Sequence, residues 1–261
     1  MNEREFKFIS VKREGSLTIV SIERPDVYNA LNADAHVELH SAFDDFANDE
    51  SQWVAIITGA GERAFCAGHD LKQQAEGGGI RFPQSGFGGL TSRFDLTKPV
   101  IAAVNGVAMG GGFEIALACD IIVAAGHAKF ALPEPKVGLA ALAGGVHRLP
   151  QAIGLKRAMG MMLTGRVVTA QEGADLGFVN EVAQGDVLAT ARRWADEMLQ
   201  CSPMSLRATK QAALSGLGLT DERALSGAWD YPAVKAMQAS EDGIEGPAAF
   251  MAKRKPIWLG R

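Results

Sequence analysis

Short β-branched runs alternate with amphipathic stretches along this chain, and that alternation confines it to an α/β layout. LTIVSI at 17–22 and WVAIIT at 53–58 are bounded by turn residues and read as buried strands. PVIAAVNG, DIIVAA and KFAL continue the series between residues 99 and 132. The stretch 33–49, ADAHVELHSAFDDFAND, reads as a helix with Asn32 as N-cap; Val37, Phe43 and Phe46 form its expected apolar face, with Leu39 at the edge. A second helix begins after the glycines at 110–112. From Ala152 onward helices dominate, as in IGLKRAMGMMLT, TAQEGADLG and DVLATARRWADEMLQC, and Thr169 and Glu172 have capping-box spacing. FVNEVA at 178–183 is one interrupting strand, and the last sixty or so residues read as a helical appendage whose apolar faces need the core or another subunit.

A chain of 261 residues, 47% hydrophobic, can bury a sizeable core. Its net charge of -4 gives no general attraction to phosphate backbones or acidic membranes, despite a local basic cluster, KRK, at 253–255. Neither nucleic acid nor a membrane is therefore expected as a partner. Cys66, Cys119 and Cys201 are odd in number and lack metal-site spacing, which suits a reducing compartment. The start, MNEREFKFIS, lacks an apolar signal core, and the apolar run near 115–125 is interrupted by Asp120, so a cytoplasmic location is expected.

Several motifs point elsewhere and do so weakly. TGAGERAF follows a strand and fits G-x-G-x-x-G/A, yet no helix and distal acid follow as a dinucleotide fold requires. His36 and His40 stand one helical turn apart, but Glu38 is not where a zinc-protease motif places its base; a polar helix face is the simpler reading. Cys66 and His69 are close in sequence without an identifiable orienting group, so Cys66 reads as a small buried residue. The glycine-rich segment 76–89, EGGGIRFPQSGFGG, is either a surface insertion or the lid or wall of a pocket.

Three segments carry chemistry. In NGVAMGGGFEIALACD, Glu114 stands just past three glycines at a helix start, where it either complements the helix dipole or moves a proton beside a backbone N–H that holds developing negative charge. In AFCAGHDL, small residues let the backbone near Gly68 and His69 approach a ligand. In FALPEPKVGL, two prolines stiffen the chain around Glu134, which is either an aimed catalytic acid or a solvated turn acid.

Together and in this order, RAFCAGHDL, NGVAMGGGFEIALACDIIVAA and FALPEPKVGL strongly resemble the crotonase family, the enoyl-CoA hydratase and isomerase superfamily. The resemblance runs from IERPDVYNALN at 22–32 through LTGRVVTAQEGADLGFVNEV to SEDGIEGPAAFMAKRKPIW. It implies a spiral of repeated β-β-α units with an acyl-CoA site over residues 1–196, then a helical region, 197–261, that makes trimers, often paired into hexamers.

The resemblance also implies site residues. The backbone N–H groups of His69 and Gly111 would polarise a thioester carbonyl, and Glu114 and Glu134 would be the paired acids of a hydratase. Isomerases of the family commonly keep only the equivalent of Glu134, so the pair favours water addition or elimination. Arg63, Ala67 and Lys72, with Lys253 or Lys255, match positions expected near CoA. No metal or redox cofactor is implied, since CoA is part of the substrate.

Two departures from the family pattern stand out. Asp26 and Val27 occupy the neighbourhood where a lysine is often found, and GLAALAGG places Ala141 and Leu142 where many hydratases carry proline and glycine. Leu142 is thus expected to shape the acyl pocket. FALPEPKVGL also resembles carnitinyl-CoA dehydratase relatives, which leaves a substituted acyl chain open. The alternatives are an enoyl-CoA isomerase and a non-catalytic binding protein of the same fold.

Overall fold

A computed structural model describes residues 5–70 and 82–261. Two sheets organise them. The larger has six strands: β1 (Ile9–Glu14), β2 (Leu17–Ile22), β3 (Val54–Gly59), β5 (Val100–Val104), β7 (Ile121–Ala125) and β10 (Glu181–Ala183), in the order β1-β2-β3-β5-β7-β10. Its first pair is antiparallel, and every later pairing is parallel. The smaller sheet has the order β4-β6-β8-β9, from Ala64–Cys66, Val107–Met109, Lys129–Ala131 and Val168–Thr169.

The chain visits the sheets alternately. β3 feeds β4, β5 feeds β6 and β7 feeds β8, so each turn lays one strand in each sheet, and the strands of successive turns pair in parallel. This is the expected spiral. Because β3 and β5 are covered on both faces, their sequences are continuous apolar runs rather than alternating ones.

Helix α1 (Ala33–Asn48) starts where Asn32 accepts the Ala35 N–H at 2.9 Å, as its sequence predicts. Its buried face differs from the expected one: His36, Leu39, Phe43 and Phe46 point inward, whereas Val37 is 55% exposed. The face is centred about one position away from where the valine suggested, and it recruits a histidine.

The segment TGAGERAF runs from β3 directly into β4, not into a helix. Two asparagine side chains hold this turn. Asn105 Nδ2 donates to the carbonyls of Gly59, Gly61 and Ala64, its Oδ1 accepts the Gly59 N–H, and Asn29 Nδ2 donates to Ala60 and Ala64. These bonds shape the β3–β4 connection, which has no helix N-terminus to receive a pyrophosphate.

Beyond α2 (Gly111–Ala118) come α3 (Gly145–Ile153), α4 (Leu155–Thr164), α5 (Ala170–Leu176) and α6 (Val187–Leu199). The run IGLKRAMGMMLT is divided at Gly154, which separates α3 from α4. Thr169 caps α5 through the Glu172 N–H at 3.2 Å. Helices α7 (Pro203–Gly216), α8 (Asp221–Gly227), α9 (Pro232–Gln238) and α10 (Glu241–Met251) close the chain. The expected division at 196/197 falls within α6. Among the described residues, no helix is long and apolar enough to cross a membrane.

Candidate active site

The site forms where consecutive strands of the smaller sheet end. After β4 the chain turns at Gly68, whose φ of +94° lies in the left-handed region. A Cβ on Gly68 would fall 2.9 Å from the Met109 carbonyl oxygen and 3.2 Å from the Gly111 nitrogen, so the end of β4 lies directly against the β6–α2 junction. This approach sets the His69 segment beside Gly111. A bridge between Leu31 and His69 fixes it further: the Leu31 N–H donates to Gly68, and the Asp70 N–H donates to Leu31. Among the described residues, no backbone acceptor takes the N–H of His69 or of Gly111. The latter lies in the first turn of α2, where backbone donors are unpaired and carry positive partial charge.

Glu114 sits one turn into α2 and is buried, at 4% exposure. Its Oε1 accepts the Gly145 N–H at 2.8 Å. Burial pushes its carboxyl up to about 7; the charge of Glu134 adds to the rise, and hydrogen bonding from Gly145 and Ala143 opposes it.

Glu134 opens a short 3-10 turn, Glu134–Val137, after β8. Pro133 and Pro135 flank it, and the Leu139 N–H closes back on its carbonyl at 2.9 Å, so the backbone that aims the side chain is stiff. Glu134 Oε1 lies 3.1 Å from where a Cβ of Gly110 would be, while its buried Oε2 has no hydrogen-bond partner. Burial raises this carboxyl as well. The two acids and both candidate N–H donors therefore gather around the glycine turn that starts α2.

The remaining expected site residues spread more widely. Arg63 lies over the Tyr28 ring at 4.1 Å and donates to the Tyr28 hydroxyl; the Ala67 N–H donates to the Tyr28 carbonyl at 3.0 Å. Lys72 lies outside the described residues. Lys253 and Lys255 are exposed on the tail beyond α10, where Lys255 borders a surface groove of about 530 Å³ with Ile244, Glu245, Arg254 and Ile257. Leu142 is 77% exposed, whereas its neighbour Ala141 is buried beside Gly145.

Sequence reasoning missed two residues at the site. Gly145 supplies the N–H that anchors Glu114, and Phe87 fills the space a Cβ on Gly111 would need. The signal for Phe87 was its place in the glycine-rich segment: the Phe87–Gly89 turn is buried and packs between α1 and α2, so this part of 76–89 is a wall of the site region. Residues 76–81 lie outside the described residues. The other motifs resolve plainly. Cys66 is buried and accepts the Gly68 N–H at 3.4 Å, and burial raises its thiol to about 12. His40 pairs with Ser85 and Asp44, away from any shared ligand with His36.

Known proteins align along almost the whole chain. The family model described as enoyl-CoA hydratase/isomerase matches residues 12–261. A carnitinyl-CoA dehydratase of Escherichia coli is 43% identical over 261 residues, covering 97% of this chain and 98% of the relative. Among solved structures, an enoyl-CoA hydratase from Mycobacterium tuberculosis superposes with a TM-score of 0.91 at 37% identity, covering 97% and 99% of the two chains. A carnitinyl-CoA hydratase from Mycobacterium avium superposes with a TM-score of 0.78 at 37% identity, covering 98% and 100%.

Proposed function

The chain belongs to the enoyl-CoA hydratase/isomerase family, and from that premise we propose that it is a hydro-lyase that reversibly adds water to a 2,3-unsaturated acyl-CoA thioester. The observation that carries this reading is the meeting of two raised carboxyls, Glu114 and Glu134, at the start of α2 beside the unengaged Gly111 N–H.

The chemistry follows from the groups present. The His69 and Gly111 N–H donors receive the thioester oxygen and stabilise the negative charge that grows on it as water attacks. Glu114 takes a proton from the water as its oxygen bonds to C3, and Glu134 delivers a proton to C2. The reverse sequence eliminates water. Like charges on two close carboxylates favour a pair that holds one proton, which is the state both directions require. Neither a metal nor a redox group is needed for these steps.

Arg63, held on Tyr28 just before β4, is assigned to the CoA phosphates, with Ala67 beside the CoA chain. Lys72, Lys253 and Lys255 keep the roles the resemblance gives them, and Leu142 borders the acyl group. The tail lysines suit a site completed by a neighbouring subunit. A trimer or hexamer is supported by the apolar side chains left open on the last helices, such as Leu225, Trp229, Ile244, Phe250 and Met251. Three free cysteines suit a cytoplasmic location.

A second reading, dehydration of a carnitinyl-type thioester, is favoured by the 43% identical relative. The deciding experiment follows loss of the conjugated-thioester absorbance with crotonyl-CoA, longer and branched enoyl-CoAs, and the unsaturated counterpart of carnitinyl-CoA. Glu114→Gln and Glu134→Gln should each lower the rate by roughly 10² to 10⁴. A rate that survives Glu114→Gln but not Glu134→Gln would instead mark an isomerase, and CoA binding without turnover of any thioester would mark a binding protein.

A further inference from the structure

His36 lies on α1 and takes no part in the chemistry above, yet it meets the His69 ring directly and the Phe87–Gly88 turn that packs on Gly111. Its side chain is fully buried, and its Nδ1 accepts the Gly88 N–H at 3.1 Å. A ring nitrogen accepts only through a free lone pair, so this bond selects the neutral form with its proton on Nε2. Burial, with the nearby His69, lowers the histidine to about 4 and keeps that form across the working range.

On one side the ring stacks with His69, with centroids 6.2 Å apart and planes 16° apart. On the other it meets Phe87 edge-on, with centroids 4.4 Å apart. Phe87 in turn occupies the place of the missing Gly111 side chain. Gly88, at φ +60°, is pressed against helix α2: a Cβ there would lie 2.7 Å from Ile115 Cγ1. Gly89 closes the other side, where a Cβ would lie 2.7 Å from the His40 backbone nitrogen on α1. The Phe87–Gly89 turn is thus a wedge between α1 and α2, and His36 supplies its one side-chain acceptor on the α1 side.

We propose that His36 is a positioning residue that sets the spacing of the two oxyanion donors, bracing His69 directly and Gly111 through the Phe87–Gly88 wedge. The proposal rests on the reading that those two N–H groups receive the thioester oxygen. A merely structural buried histidine would change stability alone; a positioning one changes how strongly the bound carbonyl is polarised.

The test uses His36→Leu, which removes the acceptor, His36→Asn, whose Oδ1 can replace it, and Phe87→Leu, which loosens the wedge from its other end. Each is assayed for kcat and KM with the thioester of the panel above that wild type turns over fastest. Each is also titrated with a dimethylaminocinnamoyl-CoA, whose absorption moves to the red as its carbonyl is polarised. His36→Leu is expected to lose about 10- to 100-fold in kcat with KM within about threefold, since small misplacements of catalytic groups carry penalties of this size. Its red shift should shrink in step, and His36→Asn should recover most of both.

If His36→Leu does not fold, the comparison of Phe87→Leu and His36→Asn with wild type decides: a smaller red shift in Phe87→Leu alone supports the wedge. Wild-type kcat and red shift in His36→Leu, or in Phe87→Leu when His36→Leu is lost, would overturn the proposal while leaving the oxyanion reading intact. A wild-type protein that binds the chromophore without any red shift would overturn the oxyanion reading, and this proposal with it.

Discussion

Glu114 Oε1 accepts the backbone N–H of Gly145 at 2.8 Å, so an acid on α2 is anchored by the first residue of α3. The contact leaves no room at Gly145: a Cβ would lie 2.9 Å from Ala141 Cβ, 3.0 Å from Leu132 Cδ1 and 3.1 Å from Glu114 Oε1. Gly145→Ala is therefore expected to cost about 1–3 kcal/mol of stability through overpacking and to lower kcat by roughly tenfold by displacing the acid. Urea denaturation and steady-state kinetics on the same preparation check both; a fully active variant would mean that the anchor does not matter.

In the proposed mechanism the proton count of the acid pair governs the pH profile. Water addition consumes no net proton, so kcat/KM for hydration and for dehydration must share one pH dependence, that of the singly protonated pair. With Glu114 raised to about 7 while Glu134 is charged, the last proton leaves near that value. Both directions should decline together above about pH 7 and again at low pH, where the pair is doubly protonated. Initial rates in each direction from pH 5 to 9 test this, and Glu134→Gln should abolish the bell.

Stability should carry two opposing pH slopes. His36 falls from 6.5 to about 4 on folding, so the stability that its neutral form supports is present above pH 6.5 and is lost as pH falls toward 4. Glu114 rises from 4.5 to about 7, so its stabilising, protonated form is present below pH 4.5 and its contribution is lost as pH rises toward 7. At about 1.4 kcal/mol per unit, each effect is on the order of 3 kcal/mol. From these two groups, wild-type stability should be nearly flat between pH 4.5 and 6.5. His36→Asn should expose a decline with rising pH, and Glu114→Gln a rise. Denaturation midpoints at four pH values distinguish the three proteins, and identical slopes would contradict the pairing.

Asn105 should matter more than its distance from the acids suggests. It is buried at 8% exposure and serves three carbonyls and one N–H of the β3–β4 connection. Asn105→Ala would strand the Gly59 carbonyl and N–H, whereas the Ala64 carbonyl keeps Asn29 and Gly61 is exposed; at about 1–3 kcal/mol for each buried group left unpaired, a loss of roughly 3 kcal/mol overall is expected. Because the same connection leads to Ala67 and His69, kcat should fall as well. Thermal and urea unfolding, read alongside kcat, provide the check.

What the sequence revealed depended on element length. Strands β2, β3, β5 and β7 are five or six residues long and mostly apolar, rich in valine and isoleucine, and could be read directly. β4, β6 and β9 are AFC, VAM and VT, too short to show any period, so of the second sheet only β8, within KFAL, could be read from the residues themselves. Glu114 announced itself by its place after three glycines, but nothing local distinguishes Glu134 from a solvated turn acid; its approach to Gly110 is a tertiary fact. His36 was misread as part of a polar face because its partner, Gly88, lies 52 residues away.

The alternating path of the chain between two sheets has an implication for how such a catalyst can change. β4, β6 and β8 are neighbours in the smaller sheet and deliver, in turn, His69, then Gly111 with Glu114, then Glu134. Reading order along the polymer thus becomes left-to-right order across the working surface, with one functional group or pair issued per lap. A single lap can be lengthened or its delivered residue exchanged while the other laps keep their mutual registry. A scaffold of this kind permits new reactions to be composed one lap at a time, the two backbone donors staying constant while the acids that the second and third laps present are exchanged.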